Sequence, residues 1–498
     1  MKLPSVLLIG IFAVLGSTVH AATPDQWRSR SVYQLLTDRF ARTDTSTTSR
    51  CNTEEGLYCG GTWRGVINKL DYIQNMGFTA IYISPITFNI EGDTGYGYGY
   101  HGFWQQNIYE LNSNFGSAQD LRDLAQALHD RGMYLMVDIV VNHFAWPGAF
   151  NTITYSKFTP FNQASDYHSY CLISDYDNQS QVENCWLGDD KVLLPDLNTQ
   201  DPRIASTLND WVRSIVSNYS IDGLRIDTVK HIDKLFFPDF VSSSGVFATG
   251  EVLDGDPGYL CDYQNYLPSV FNYPAYYQAI AAFTNSSGSI ANLANSIDAI
   301  KNTCKDTTLL GSFTENHDMP RFASKTQDIS QAKSIIAYTI LADGIPFIYA
   351  GQEQHYAGGK DPYNREATWL SGYKTDGELY KLVQALNQVR NRAIYVADSY
   401  LAYKNYPIWN DANTIAMRKG FDGNQIVAVL SNRGAGSGSV GISVPNHGFA
   451  AGTQLLDVLG CAMVTVDGNG YIQTTIVDGV PKVFYPLLQT KGSGICGM

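Results

Sequence analysis

The sequence predicts an α/β protein: a (β/α)8 (TIM) barrel, a small domain inserted after its third strand, and a C-terminal antiparallel β-sandwich. Three patterns predict it. From about residue 31 to about 392, short apolar runs alternate with stretches of helical spacing, as in a parallel sheet with crossover helices. Between about residues 144 and 200 the alternation breaks into polar, aperiodic sequence carrying Cys171 and Cys185, too long for a plain loop. Beyond about residue 400, short alternating strands with Gly turns replace the helical spacing, which marks a separate all-β domain. The expected division is a leader over 1–22, barrel over 23–143 and 200–400, insert over 144–199 and sandwich over 401–498.

Taken in order, Ser31–Phe40 reads as a first strand running into a loop with Cys51 and Cys59. Val66, Ile67, Leu70, Ile73 and Met76 share one side of a helix over 65–76, which Gly77 can end. Ala80–Ile83 is the second strand, followed by a Tyr/Gly loop over 92–102 that includes His101. A helix over 118–130 leads to the third strand, Tyr134–Val141, and then Asn142-His143. After the insert, a helix over 204–219 precedes the strand that ends in Arg225-Ile-Asp227. Val246–Glu251, Leu309–Phe313 and Pro346–Tyr349 read as further strands, with a weak one near Ser269–Phe271. Eight units favour a closed barrel over an open sheet. Thr414–Met417 and Gln425–Leu430 are strands of the last domain.

Composition narrows the function. Net charge is −13 with no basic run, which argues against nucleic acid and anionic membrane as partners. Only 16% of residues are charged, and there are 32 Tyr and 8 Trp, which suits a secreted protein whose aromatic faces stack on sugars. Lys2, the apolar stretch Val6–Leu15 and the small residues Ala21 and Ala22 read as a secretory leader. Its apolar run is too short to span a membrane. Eight cysteines without a C-x-x-C agree with export and disulfide pairing. Sequons at Asn178, Asn218 and Asn285 are candidate glycan sites.

The chemistry gathers at strand ends. Arg225 stands two residues before Asp227, so both lie on one face of a strand, where a guanidinium would favour an ionised carboxylate. Glu251 and Asp318 also fall at predicted strand ends, and a barrel brings all such ends to one mouth. Three carboxylates there suggest glycoside cleavage: one attacks, one protonates the leaving oxygen, and one steadies positive charge on the sugar. His143 and His317 stand at strand ends and suit sugar hydroxyls. Metal catalysis is the competing use of such carboxylates, and the flanking His and Arg count against it.

Four stretches then stand out together. Asp138-Ile-Val-Val-Asn-His143, Gly223-Leu-Arg-Ile-Asp-Thr-Val-Lys-His231, Gly250-Glu-Val252 and Phe313-Thr-Glu-Asn-His-Asp318 resemble, in order, the signature blocks of the alpha-amylase family of glycoside hydrolases. The likeness runs from Trp27 to the last cysteine and takes in Cys185-Trp-Leu-Gly188, Leu194-Pro-Asp196 and Gly351-Gln-Glu-Gln-His-Tyr356. It is strongest to the secreted fungal members of the Taka-amylase type.

The resemblance implies an extracellular, monomeric, endo-acting enzyme that hydrolyses internal α-1,4 bonds of starch and malto-oligosaccharides with retention. It implies Asp227 as nucleophile, Glu251 as acid/base and Asp318 as transition-state stabiliser. Arg225, His143 and His317 would serve the cleavage point. Tyr96 and Trp104 would give stacking surface, and Lys230, His231, Asp361 and Arg365 would line neighbouring subsites. It also implies Ca2+, held by Asn142, Glu183, Asp196 and the carbonyl of His231. The implied disulfides are Cys51–Cys59, Cys171–Cys185, Cys261–Cys304 and Cys461–Cys496. Two positions depart from the family pattern. Phe103 stands where relatives usually carry Tyr, which removes a hydroxyl, and Met319 stands where they usually carry a polar residue. A 4-α-glucanotransferase on the same scaffold is the nearest alternative. A non-catalytic glucan-binding protein is a second, and it would be expected to have lost a carboxylate.

Overall fold

The computed structural model describes residues 22–498; the expected leader lies outside them except for Ala22. Eight strands form one parallel sheet: β1 (Val32–Leu35), β2 (Ala80–Ile83), β3 (Tyr134–Ile139), β4 (Gly223–Ile226), β5 (Phe247–Gly250), β6 (Ser269–Val270), β7 (Gly311–Ser312) and β8 (Ile345–Tyr349). β1 pairs with β2 on one side and β8 on the other. The last gap, between β6 and β7, is closed by a parallel bridge from Phe271 to Gly311. A Cβ on Gly311 would stand 2.9 Å from the Phe271 ring, so the seam needs glycine there. Because every pairing is parallel, all eight C-terminal ends open on one face.

The other end of the barrel is plugged early in the chain. Thr23 caps the short helix Pro24–Arg28, and Trp27 is fully buried beneath the strands. Its indole N–H donates to the Asp222 carbonyl at 2.9 Å, and its ring stacks on Phe247 at 5.4 Å. A Cβ on Gly223 would meet that indole at 2.5 Å, so glycine at the start of β4 lets the plug seat.

The expected helix over 65–76 is instead two, Trp63–Ile67 and Leu70–Gln74. Thr62 caps the first, and Asn68 turns back onto the Arg64 and Val66 carbonyls to end it. The excursion after β3 also has a partner the apolar pattern does not reveal. Thr87–Asn89 and Gln105–Leu111 form a hairpin after β2, and the second strand bridges to Thr159. The insert itself holds the helix Gln179–Asn184 and the ribbon Leu187–Gly188/Leu193–Leu194. Phe144, Phe158 and Phe161 meet edge to face at its centre, 5.5 and 5.7 Å apart.

Beyond the helix Glu378–Val396, a six-stranded antiparallel sheet begins at Tyr406 and faces the ribbon Ser439–Val444/Ile472–Val477. Ile442, Val444, Ile472 and Ile476 from the ribbon pack on Val427, Val429 and Phe484 from the sheet, so the expected sandwich is present. All four expected disulfides are formed, and among the described residues no cysteine is free. Among the described residues, no helix is long and apolar enough to cross a membrane.

Candidate active site

Arg225 organises the mouth. It lies on β4, is 2% exposed, and pairs in register with Asp138 on β3 and Thr249 on β5. Its Nη1 donates to both Asp138 oxygens at 3.0 Å and to Asp227 Oδ1 at 2.6 Å. Its Nη2 lies 3.0 Å from Glu251 Oε2. Tyr82 on β2 donates its hydroxyl to Asp138 from the other side. One buried cation therefore serves three buried carboxylates.

That sharing corrects the simple expectation that Arg225 holds Asp227 ionised. Burial pushes the Asp227 carboxyl well above the usual range; Arg225 opposes this, while Glu251, Asp138 and Asp318 add to it. Burial likewise pushes Asp138 up to about 7 against the pull of Arg225. A cluster with more negative groups than positive ones, shielded from water, retains a proton.

Glu251 follows β5 directly. Its Oε2 accepts from the Thr228 backbone N–H at 3.1 Å and its Oε1 from the Tyr273 hydroxyl at 3.3 Å. Asp318 sits in the loop after β7. Its own N–H donates to Asn316 Oδ1 at 2.9 Å, and its carboxylate faces Arg365 Nη2 at 3.3 Å and His317 Nε2 at 3.1 Å. The Gln34 amide donates to His317 Nδ1 at 2.9 Å, which leaves the ring proton on Nε2, toward Asp318. Burial pushes His101, His143 and His317 below the ordinary imidazole range. Neutral imidazoles both donate and accept, as sugar hydroxyls require.

These groups line a cavity of 260 Å³ bounded by His101, Phe103, Trp104, His143, Asp227, Glu251, His317, Asp318, Asp361 and Arg365. It adjoins a wider cleft of 690 Å³ that shares His101, Trp104, Asp361 and Arg365 and extends to Tyr96. Tyr96 is 52% exposed and donates its hydroxyl to Asp189 at 2.6 Å. Three expected residues stand apart from both cavities. Arg225 lies beneath the carboxylates. Lys230 and His231 occupy a turn on the far flank, where Lys230 Nζ donates to the Leu253 carbonyl at 2.9 Å and His231 Nδ1 to the Val182 carbonyl at 3.1 Å.

Sequence reasoning missed Asp138 and His101 as site residues. The first opens one of the four signature stretches but is given no role there, and the register opposite Arg225, with the Tyr82 hydroxyl, supplies its partners. The second is buried in the Tyr/Gly loop, its ring centroid 4.4 Å from that of Trp104. Phe103 lacks the hydroxyl of a Tyr, and its ring stacks on His317 at 4.9 Å, with planes 7° apart. Met319 packs against the core and lines neither cavity.

A second group of oxygens lies between insert and barrel. His143 bridges Asp196, which brings Asn142 beside it. Asp196 Oδ2 takes a hydrogen bond from His168 at 2.6 Å, whereas its buried Oδ1 has no partner among the described residues. Gln179 donates to Glu183 Oε1 at 2.7 Å and to the Lys230 carbonyl at 3.2 Å. Among the described residues no cluster of three or more His, Cys, Asp or Glu could hold a metal; this set offers two carboxylates plus amide and carbonyl oxygens.

Two family models cover most of the chain. The one described as alpha amylase, catalytic domain, matches residues 34–378, and alpha-amylase, domain C, matches residues 407–498. The chain belongs to the alpha-amylase family. It is 50% identical to alpha-amylase 2 of Schwanniomyces occidentalis, across 97% of this chain and 94% of that one. It is 52% identical to an alpha-amylase of Saccharomycopsis fibuligera, across 93% and 92%. The solved alpha-amylase of Malbranchea cinnamomea superposes with a TM-score of 0.93 at 50% identity, covering 95% of this chain and all of that one. With the family established, the mouth described above is where its chemistry is to be sought.

Proposed function

We propose that this chain is a secreted, endo-acting alpha-amylase that hydrolyses internal α-1,4-glucosidic bonds of starch and malto-oligosaccharides with retention, as a monomer. The observation that carries this is that Asp227 and Glu251 each follow directly on the paired Ile226 and Gly250 and share Arg225. Asp227 attacks the anomeric carbon, and Glu251 protonates the departing oxygen and then activates water. Asp318, held by Arg365 and His317, faces the charge that develops on the ring. His101 and His143 bind hydroxyls beside it, while Trp104 and Tyr96 carry the chain outward and Asp361 flanks it. Lys230 and His231 serve longer substrates on the far flank. Cyclodextrin glucanotransferases share the fold at 21 to 23% identity, a likeness that reaches no further than the fold. Incubating purified protein with soluble starch and sizing products over time is expected to give early, broad loss of chain length. Products confined to rearranged linkages, without new reducing ends, would favour the transferase.

The proposed parts are the leader over 1–22, barrel over 23–143 and 200–400, insert over 144–199 and sandwich over 401–498. Export is supported by four disulfides, which form in oxidising compartments. Asn178, Asn218 and Asn285 are all exposed, as glycan acceptors must be.

Calcium fits the oxygens between insert and barrel. The set contains only oxygen donors, as this hard cation prefers, and the unpartnered Asp196 Oδ1 needs compensation. Asn142, Glu183, Asp196 and the His231 carbonyl would hold it, and it would brace one wall of the cleft. Prolonged chelation is expected to lower the melting temperature, and added calcium to restore it. A ligand present at a hundredfold its dissociation constant contributes about 2.7 kcal/mol. An unchanged melting curve after verified metal removal would rule the site out.

A further inference from the structure

The outer cleft has an aromatic wall that its own loop does not hold in place. Tyr96 stands at the tip of the Tyr/Gly loop, 52% exposed. It lies between Gly95 and Gly97, both in the left-handed region with φ of 87° and 92°. Thr94 closes the tip: its N–H and its hydroxyl both donate to the Gly97 carbonyl, at 3.1 and 2.9 Å. Those bonds fix the backbone and leave the rotamer of the Tyr96 ring open.

What holds the ring comes from the insert. Asp189 lies in the turn of the ribbon Leu187–Gly188/Leu193–Leu194, 93 residues along the chain from Tyr96. Its N–H donates to the Val192 carbonyl at 3.0 Å, and its Oδ1 accepts from the Lys191 and Val192 N–H groups at 2.8 and 3.2 Å. The turn therefore fixes the carboxylate. Its other oxygen, Oδ2, takes the Tyr96 hydroxyl at 2.6 Å, the length of a charge-assisted bond. That hydroxyl first, with the two turn N–H groups, holds the Asp189 carboxyl below the usual carboxylate range against the effect of burial, so the acceptor stays charged wherever an ordinary aspartate does. Lys191 Nζ lies over the ring, 4.5 Å from its centroid. Tyr96 lines the cleft with Trp104, whereas Asp189 and Lys191 lie outside its lining. They grip the ring from behind and leave a face of it to the cleft.

We propose that Asp189, assisted by Lys191, is a positioning residue for the outer cleft: it fixes Tyr96 as a stacking platform, and through it the insert sets the preference for longer α-glucans. An unheld tyrosine has to be frozen by each substrate that stacks on it, and that cost is taken from binding. A ring already held presents its face without it. Tyr96 lines the outer cleft and not the inner cavity of the carboxylates, so the effect falls on binding and not on bond cleavage. The identity of the substrate rests on the alpha-amylase reading above; the hold on Tyr96 rests on the contacts alone.

The test is steady-state hydrolysis of maltoheptaose and maltotriose by the full-length protein. Asp189→Ala is expected to raise KM for maltoheptaose roughly two- to tenfold, the scale of one side chain left to be frozen on binding, with kcat kept. kcat/KM for maltotriose should fall less. Asp189→Asn can keep the turn through its oxygen and donate to the same hydroxyl through its amide, so it should recover most of the loss. Tyr96→Phe keeps the ring and removes its hold. It should match Asp189→Ala, and the double variant should be no worse than either. Additive losses in the double variant would mean that the two side chains act separately, and would overturn the proposal. So would an unchanged KM in Asp189→Ala, or a joint fall in kcat and melting temperature, the mark of a damaged insert. Failure of the alpha-amylase reading itself would appear separately, as no cleavage of maltoheptaose by the unaltered enzyme, and would take this proposal with it.

Discussion

Glu251→Gln is expected to abolish nearly all starch cleavage while the protein stays folded. The two side chains have the same shape, so packing at the end of β5 is kept. A glutamine oxygen can still accept from the Thr228 N–H and from Arg225, the partners of Glu251 Oε2 at 3.1 and 3.0 Å. The new amide would face the Tyr273 hydroxyl, now 3.3 Å from Oε1, and that hydroxyl can turn to accept. What disappears is the transferable proton. General acid–base catalysis is worth about 10² to 10⁴ in rate, and here one residue performs both halves of the cycle. The loss should therefore fall at or beyond the upper end, read as release of reducing ends. A matched thermal melt separates chemistry from folding. Retention of a tenth or more of the activity would remove Glu251 from the role.

The barrel was legible where strands are long and apolar and faint where closure occurs. β1 to β5, β7 and β8 announce themselves as apolar runs, and only β6 reads weakly. β6 and β7 are two residues each, and the barrel closes there through a bridge and a glycine seat rather than a run. The hairpin strand Gln105–Leu111 escaped notice because its sequence alternates poorly and its outer positions are exposed; it pairs with Thr87–Asn89 and bridges to Thr159 of the insert. The same division holds in the site. Strand ends made Asp227 and Glu251 visible, and a period of two put Arg225 beside Asp227. No local pattern could say that Arg225 also serves Asp138 and Glu251, since that depends on the register of three strands. The upward shift at Asp227 follows first from burial, which outweighs Arg225, and then from its carboxylate neighbours, and only the fold supplies both.

The products released first are expected to carry the α configuration, seen by proton NMR before mutarotation. Neighbouring strands of a sheet run about 4.8 Å apart, and Ile226 pairs directly with Gly250. Asp227 and Glu251 therefore leave the sheet side by side. Arg225 holds both from below, at 2.6 Å through Nη1 and 3.0 Å through Nη2. That arrangement favours the separation of roughly 5 Å used by retaining enzymes over the about 6.5 to 9.5 Å of an inverting pair. The retaining cycle then needs Glu251 to deliver a proton to the leaving oxygen while Asp227 attacks the anomeric carbon. Water then enters from the face the leaving group vacated, and the second displacement restores α. Asp227→Asn, which cannot attack, should fall to the level of Glu251→Gln. A first product in the β configuration would mean a single displacement by water, and Asp227 would then not be the nucleophile.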